Sequence, residues 1–211
     1  KRCQELIIQP HQFSRDTNGV VILGEKLLSN YKGIDFTLSL WVFISGKTTG
    51  RNNFITGKVS HNDAWPLLIL RGSDQKLEVV YGRGNDFEKL TTQSTIQYST
   101  WTHLAVVVEP RKIKVFVNGI QDCQVSTPGN ARAILYPVII GTCPSSIRTR
   151  IEHIRDGLDG MISQYKYYTR ALSPIHVRVI YDLGPPEAYD VKERWMLKLL
   201  SSTKSLMDSN V

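Results

Sequence analysis

Apolar and polar residues alternate by two over much of this chain. In residues 34–44, Ile-Asp-Phe-Thr-Leu-Ser-Leu-Trp-Val-Phe-Ile, the side chains of Phe36, Leu38, Leu40, Val42 and Ile44 share one face and Thr37, Ser39 and Trp41 the other, which predicts a strand with an apolar inner face. Residues 53–59 and 65–71 are two short apolar runs joined by Ser60-His61-Asn62-Asp63, whose Asn and Asp favour turn geometry, so they read as a hairpin. Lys76–Tyr81 follows Gly72-Ser73-Asp74, and Gly82-Arg83-Gly84-Asn85-Asp86 turns the chain again before Glu88–Ile96. In 101–125, Leu104, Val106 and Val108 alternate, Pro110-Arg111 turns, and Ile113, Val115 and Val117 alternate up to Asn118-Gly119. Asn-Gly suits the positive φ angles of a type I′ turn, so Gln121–Val125 should run back beside Lys112–Val117. Residues 134–141 and 158–168 add two strands, and about a dozen short strands without βαβ spacing predict an antiparallel sandwich of two sheets.

Helix signals come late. Ser173-Pro174 fits an N-cap followed by Pro at the first helical position, predicting a short helix over Pro174–Asp182 stopped by Gly184-Pro185-Pro186. Val191, Trp195 and Leu199 recur at i, i+4 and i+8 with Lys192, Glu193, Arg194 and Lys198 mostly on other faces, the pattern of an amphipathic helix expected to pack on the sandwich as an appendage, the alternative being the start of a next domain. The expected division is a β domain over 1–184 and a linker with this helix over 185–211, its last residues, 201–211, frayed.

A length of 211 residues suits one all-β domain, and 41% hydrophobic against 21% charged residues gives enough apolar matter for a core, which excludes a disordered chain. No apolar run approaches the roughly 18 residues of a membrane span. The opening Lys1-Arg2-Cys3-Gln4-Glu5 holds neither an initiator Met nor a signal peptide, and the expectation is a segment of a longer polypeptide. The net charge of +7 is spread among acids, as in Arg148, Arg150, Glu152, Arg155, Asp156, Asp159, which argues against a nucleic-acid partner and leaves an acidic one open. Cys3, Cys123 and Cys143 are odd in number and lack CxxC spacing, and no Asn-x-Ser/Thr occurs, so reduced thiols in a cytoplasmic protein are expected.

Three segments carry a resemblance. Phe36-Thr37-Leu38-Ser39-Leu40-Trp41-Val42 is similar to an early Phe-Thr strand; Trp101-Thr102-His103-Leu104-Ala105-Val106 with Val115-Phe116-Val117-Asn118-Gly119 is similar to a W-x-H strand and its V-[ND]-G hairpin; Gly160-Met161-Ile162-Ser163 through Tyr168-Thr169-Arg170-Ala171-Leu172-Ser173 is similar to a closing G-x-I-D and Y-x-R-A-L-S strand. Together they resemble the laminin-G-like and pentraxin-like branch of the concanavalin A-like lectin/glucanase superfamily. The resemblance implies an all-β, two-sheet antiparallel jelly roll, here with short C-terminal helices. The roles expected of the motif residues are structural: Trp101 as a core plug rather than a sugar platform, His103 as an inter-strand hydrogen-bonder rather than a ligand, Arg170 as a tie between the closing turn and the sheet.

Departures from the family pattern bear on function. Ser39 stands where pentraxin-like relatives carry the first Cys of a disulfide, and Gln97-Tyr98-Ser99-Thr100 lacks the second. Asn62-Asp63 and Asn85-Asp86 are the calcium candidates outside the closing region, and turn chemistry accounts for them, so no metal or cofactor is expected. The glucanase E-x-D-x-x-E or E-x-D-x-E motif is missing, Glu152, Asp156 and Asp159 read as a charged loop, and no nucleophile elbow or P-loop occurs, so no enzyme is expected.

Binding candidates remain. Trp65, Tyr81, Tyr136 and Tyr167 are the aromatic residues a sugar would need, Trp65 foremost because it follows a polar turn and precedes Pro66, although core or edge positions are the expected reading for all four. Lys47, Arg51 and Lys58, and Arg148, Arg150 and Arg155, are the basic groups an acidic peptide or phosphate would meet. The expectation is a non-catalytic, monomeric binding module of a large intracellular multidomain protein, serving protein–protein interaction or substrate recruitment through Arg148, Arg150, Arg155 and Trp65. The alternative is an extracellular laminin-G-type module for glycan or glycosaminoglycan.

Overall fold

The alternation in 36–44 sets the centre of the structure: Phe36, Leu38, Leu40, Val42 and Ile44 are all 2% exposed or less and point into the space between two sheets. The computed structural model describes residues 3–14, 19–22, 35–46, 50–59, 63–83, 86–127, 137–142 and 154–185, with the backbone alone for 21–22, 59, 63–65, 83, 86 and 155. In chain order the strands are β1 Cys3–Ile7, β2 His11–Phe13, β3 Val20–Ile22, β4 Phe36–Ile44, β5 Asn52–Val59, β6 Asp63–Leu70, β7 Lys76–Arg83, β8 Asp86–Thr95, β9 Trp101–Glu109, β10 Lys112–Val117, β11 Ile120–Ser126, β12 Val138–Ile140, β13 Ile154–Asp156 and β14 Gly160–Tyr168, followed by helix α1 Pro174–Asp182. The first sheet runs β1-β14-β4-β9-β10-β11 with β2 beside β14, and the second runs β3-β12-β5-β6-β7-β8 with β13 beside β5. The strands pair antiparallel except β13, which lies parallel to β5.

The sandwich of two antiparallel sheets predicted from alternation is therefore present. The Asn118-Gly119 turn has φ of 50° and 76°, as a type I′ turn requires, and β11 returns along β10. Helix α1 spans Pro174–Asp182 with Ser173 as its N-cap. The second predicted helix lies outside the described residues, as does Cys143.

Between the sheets the core continues with Leu68, Leu70, Val79, Leu104, Val106, Val108, Ile113 and Val115. Two polar contacts cross it: a Thr56–Tyr165 hydroxyl pair at 3.1 Å, and the Lys58 ammonium, which donates to Tyr167 Oη at 3.0 Å and lies over the Tyr167 ring at 4.5 Å. Burial lowers the Lys58 pKa to about 8. Tyr81 and Tyr167 are core residues at 2% exposure, so neither is a sugar platform, and Lys58 at 5% is not a surface cation.

Two sequence expectations change here. Trp101 is half-buried and sits on the outer face of β9, its ring 5.6 Å from that of Phe43, while Leu104 is in the core. It shares odd parity with His103, Ala105 and Val107, so the pleat turns it away from the inner row. Arg170 is exposed, and the closing turn is tied by other groups: Thr37 Oγ1 donates to the Arg170 carbonyl at 2.9 Å, and Asp35 Oδ2 accepts from Ala171 N at 3.1 Å.

One open side of the sandwich is stitched by Asp122 on β11, whose carboxylate accepts from Gln93 N at 2.6 Å and Ser94 N at 2.9 Å on β8. Burial opposes its charge, but these hydrogen bonds outweigh it and hold the carboxyl below its usual range. The neighbouring Cys123 is a free thiol pushed up to about 12 by burial and by Asp122, which makes it a poor nucleophile at neutral pH.

Candidate functional site

The family-like motifs are used up in packing. His103 Nε2 pairs with Ser39 Oγ at 2.9 Å across β9 and β4, so the serine that stands where a cysteine would be meets the histidine instead. Asn118 Oδ1 accepts from His103 N at 2.9 Å, which ties the W-x-H strand to the V-N-G turn. Tyr181 of α1 covers this pair, stacked on Trp41 with ring centroids 5.7 Å apart, and a side chain at Gly119 would collide with it. His103 is 0% exposed, and burial lowers its pKa to about 4. Closed off from solvent, the Ser39–His103 pair is a structural hydrogen bond, as expected for His103.

The outer face of the second sheet carries its own apolar layer. Phe54, Leu67, Ile69, Val80 and Ile154 are 1% exposed or less, so this stretch offers no open aromatic platform. Among the described residues no three His, Cys, Asp or Glu side chains converge as metal ligands, and no helix is long and apolar enough to cross a membrane.

At one end of this sheet what reaches solvent is polar, with Arg51 and Ser73 exposed. Strand β13 lies alongside the start of β5, with Ile154 opposite Asn52 and Asp156 opposite Asn53. Asn53 Nδ2 fixes the placement by donating to the Gly157 carbonyl at 3.1 Å. This brings Arg155 beside Arg51, about a hundred residues earlier in the chain. The Arg51 side chain is 57% exposed and meets Asp156 at 3.8 Å, a loose, solvent-screened pair. The β6–β7 turn joins the same end: Gly72 N donates to Asn52 Oδ1 at 3.0 Å, and a Cβ on Gly72 would strike the Arg51 backbone. Arg71, one residue earlier, pairs with Asp74 at 3.2 Å. Sequence reasoning missed Arg71 and the parallel strand, because a single Ile154 among charged residues carries no period.

Of the residues proposed from sequence, Arg148 and Arg150 lie outside the described residues, and Arg155 and Trp65 are placed by backbone alone, in β13 and β6. The two do not converge. Arg155 lies opposite the start of β5, whereas Trp65 follows Ala64, the partner of Val59 at its other end, a separation of about 20 Å along the strand. At the Trp65 end, Asp63, Arg83 and Asp86 are in register across β6, β7 and β8, while Asn62 and Asn85 lie outside the described residues.

Comparison with known proteins gives one family and many structural likenesses. Domain 4 of AbnA, a GH43 extracellular arabinanase from Geobacillus stearothermophilus, in complex with arabinotriose, is similar at 24% identity and a TM-score of 0.54, covering 77% of this chain and 72% of that one. The receptor binding domain of botulinum neurotoxin D is similar at 13% identity and a TM-score of 0.63, covering 85% of this chain and 47% of that one. The binding domain of botulinum neurotoxin DC in complex with SialylT is similar at 12% identity and a TM-score of 0.59, covering 78% and 39%. This chain thus spans less than half of either toxin chain, and at such identities the likeness concerns the fold. No curated protein sequence matches the chain. The family model covers residues 15–178, which takes in all three motif segments, strands β3 to β14 and the first half of the helix, and the chain belongs to the concanavalin A-like lectin/glucanase superfamily.

Proposed function

We propose that this lectin-like domain is a non-catalytic recognition module of a large intracellular multidomain protein. It serves protein–protein interaction or substrate recruitment by holding an acidic partner at the arginine-rich end of the second sheet. The observation that carries the reading is the parallel docking of β13 on β5, which brings Arg155 to the end of the sheet that holds Arg51 and Arg71; Arg148 and Arg150 precede Arg155 closely in the sequence. Guanidinium groups offer bidentate hydrogen bonds to carboxylate or phosphate, and their present ion pairs, exposed and worth about 0–1 kcal/mol each, yield readily to a better-matched ligand. An odd cysteine count and the lack of Asn-x-Ser/Thr support a cytoplasmic setting.

The second reading is glycan recognition, favoured by the arabinotriose and SialylT complexes of two structural relatives. It belongs at the opposite end, where Trp65 on β6 lies two residues from the Asp63–Arg83–Asp86 register. The distance between the ends separates the readings experimentally. Arg51→Glu combined with Arg155→Glu is expected to weaken binding of Glu- and Asp-rich peptides roughly ten-fold or more, with further weakening as salt rises and a change in Tm below about 2 °C. Unchanged peptide affinity would discard the acidic-partner surface. Sugar-array binding that survives these changes but is lost in Trp65→Ala would put the glycan reading in its place.

A further inference from the structure

Helix α1 has two apolar faces, and the first sheet covers only one. Val177 packs with Ala105, Val107, Phe116 and Leu172 on the outer face of that sheet, with Ile180 beside them. On the other side Ile175, Val179 and Leu183 are 70%, 55% and 77% exposed. Their i, i+4, i+8 spacing puts them in one line, about 12 Å long at a rise of 1.5 Å per residue. A nine-residue helix that keeps three aliphatic side chains in water along one stripe is incomplete as a surface element.

The chain itself supplies a matching element. Gly184 ends α1 with a φ of 85°, Pro185-Pro186 forbids its continuation, and Asp190 with Glu193 three residues on is a helix-start signal. From there Val191, Trp195 and Leu199 repeat the i, i+4, i+8 spacing of the exposed stripe. Residues 186–211 lie outside the described residues, but their sequence fixes how far such a helix starts from α1. The connection, 184–190, falls within the roughly 2–8 residues that join neighbouring helices, and so short a link returns the second helix antiparallel to the first.

We propose that residues 191–200 fold back as a helix against α1, laying Val191, Trp195 and Leu199 on Leu183, Val179 and Ile175 in that order. The outer face of the first sheet then carries a helical hairpin, and the hydrophobic line on α1 is an internal docking seam occupied by the chain's own C-terminal segment. The order of contacts follows from the antiparallel return: the residues nearest the turn, Leu183 and Val191, meet first, and Ile175 meets Leu199 at the far end.

The far pair gives the decisive test, since chain proximity alone does not bring it together. In the full 211-residue chain, with Cys3, Cys123 and Cys143 changed to serine, Ile175→Cys with Leu199→Cys is expected to form an intramolecular disulfide under mild oxidation. It would be read as a two-dalton loss of mass in a monomer. Trp195→Asp in the otherwise natural chain is expected to lower Tm by about 5–10 °C and to increase binding of a hydrophobic dye. Cysteines that stay reduced, or that link only between two molecules, overturn the proposal, the latter by making a second copy the occupant. An unchanged Tm and dye signal in Trp195→Asp overturns it equally.

Discussion

Leu104→Ala is expected to destabilise the domain by about 2–5 kcal/mol, and Trp101→Ala by less than the about 3–5 kcal/mol that a fully buried tryptophan carries. The two residues are three apart in one strand and both large, so hydrophobicity alone does not rank them. Position in the pleat does. Leu104 is 0% exposed in the space between the sheets, in the same row as Val106 and Val108, and truncating it leaves a cavity with close-packed walls. Trp101 rests on Phe43 at the edge of the outer face, where solvent can enter the space it vacates. Urea unfolding of both variants checks the ranking, and a loss at Trp101 equal to or larger than that at Leu104 would show that the outer-face placement is wrong.

Acidification should expose the second large effect. His103 is held near a pKa of about 4 by burial beneath Tyr181, against about 6.5 in an unfolded chain. Above pH 6.5 the imidazole is neutral in both states and the fold keeps its full stability. Between about 6.5 and 4 the unfolded chain takes up a proton that the folded chain refuses, so stability falls as pH falls, by about 3 kcal/mol across the window. Below about 4 both states are protonated and this group takes nothing further. The chain has five histidines and many carboxylates, so the measurement is a difference. His103→Gln, which keeps a nitrogen donor for Ser39, is expected to be less stable than the natural protein at pH 7.5 and to show a flatter decline between pH 6.5 and 4. Parallel declines for the two proteins would remove His103 as the source.

These expectations draw on different amounts of sequence information. The strands that alternate cleanly and the turns that need a special backbone are legible in the residues alone: 36–44, the 104–108 and 113–117 pair, the Asn118-Gly119 hairpin and the Ser173-Pro174 helix start. In each, the determining physics is local, a side-chain period of two or a φ that one dipeptide adopts cheaply. The three motif segments likewise sufficed to place the chain in its superfamily, because their residues interlock with one another, as His103 does with Asn118 and Ser39.

Which face of a strand is inside once the period slips depends on contacts between distant segments. In β14, Ile162 points inward, the register breaks between Ser163 and Lys166 with Gln164 at a φ of 46°, and from there Tyr165 and Tyr167 are the inward pair. The bulge is held by Ile8, whose carbonyl accepts from Ser163 Oγ at 3.0 Å and from Gln164 N at 3.4 Å. Trp41 shows the same dependence, since alternation puts it on the outer face and Tyr181, 140 residues on, is what buries it. The candidate site divides between the two kinds. Arg71 reaches Arg51 through the β5–β6 hairpin and the Gly72–Asn52 contact, a hairpin that the apolar runs predict. Arg155 joins Arg51 because Ile154 and Asp156 pair with the start of β5, and a parallel pairing of three residues across a hundred-residue interval leaves no period in the sequence to read.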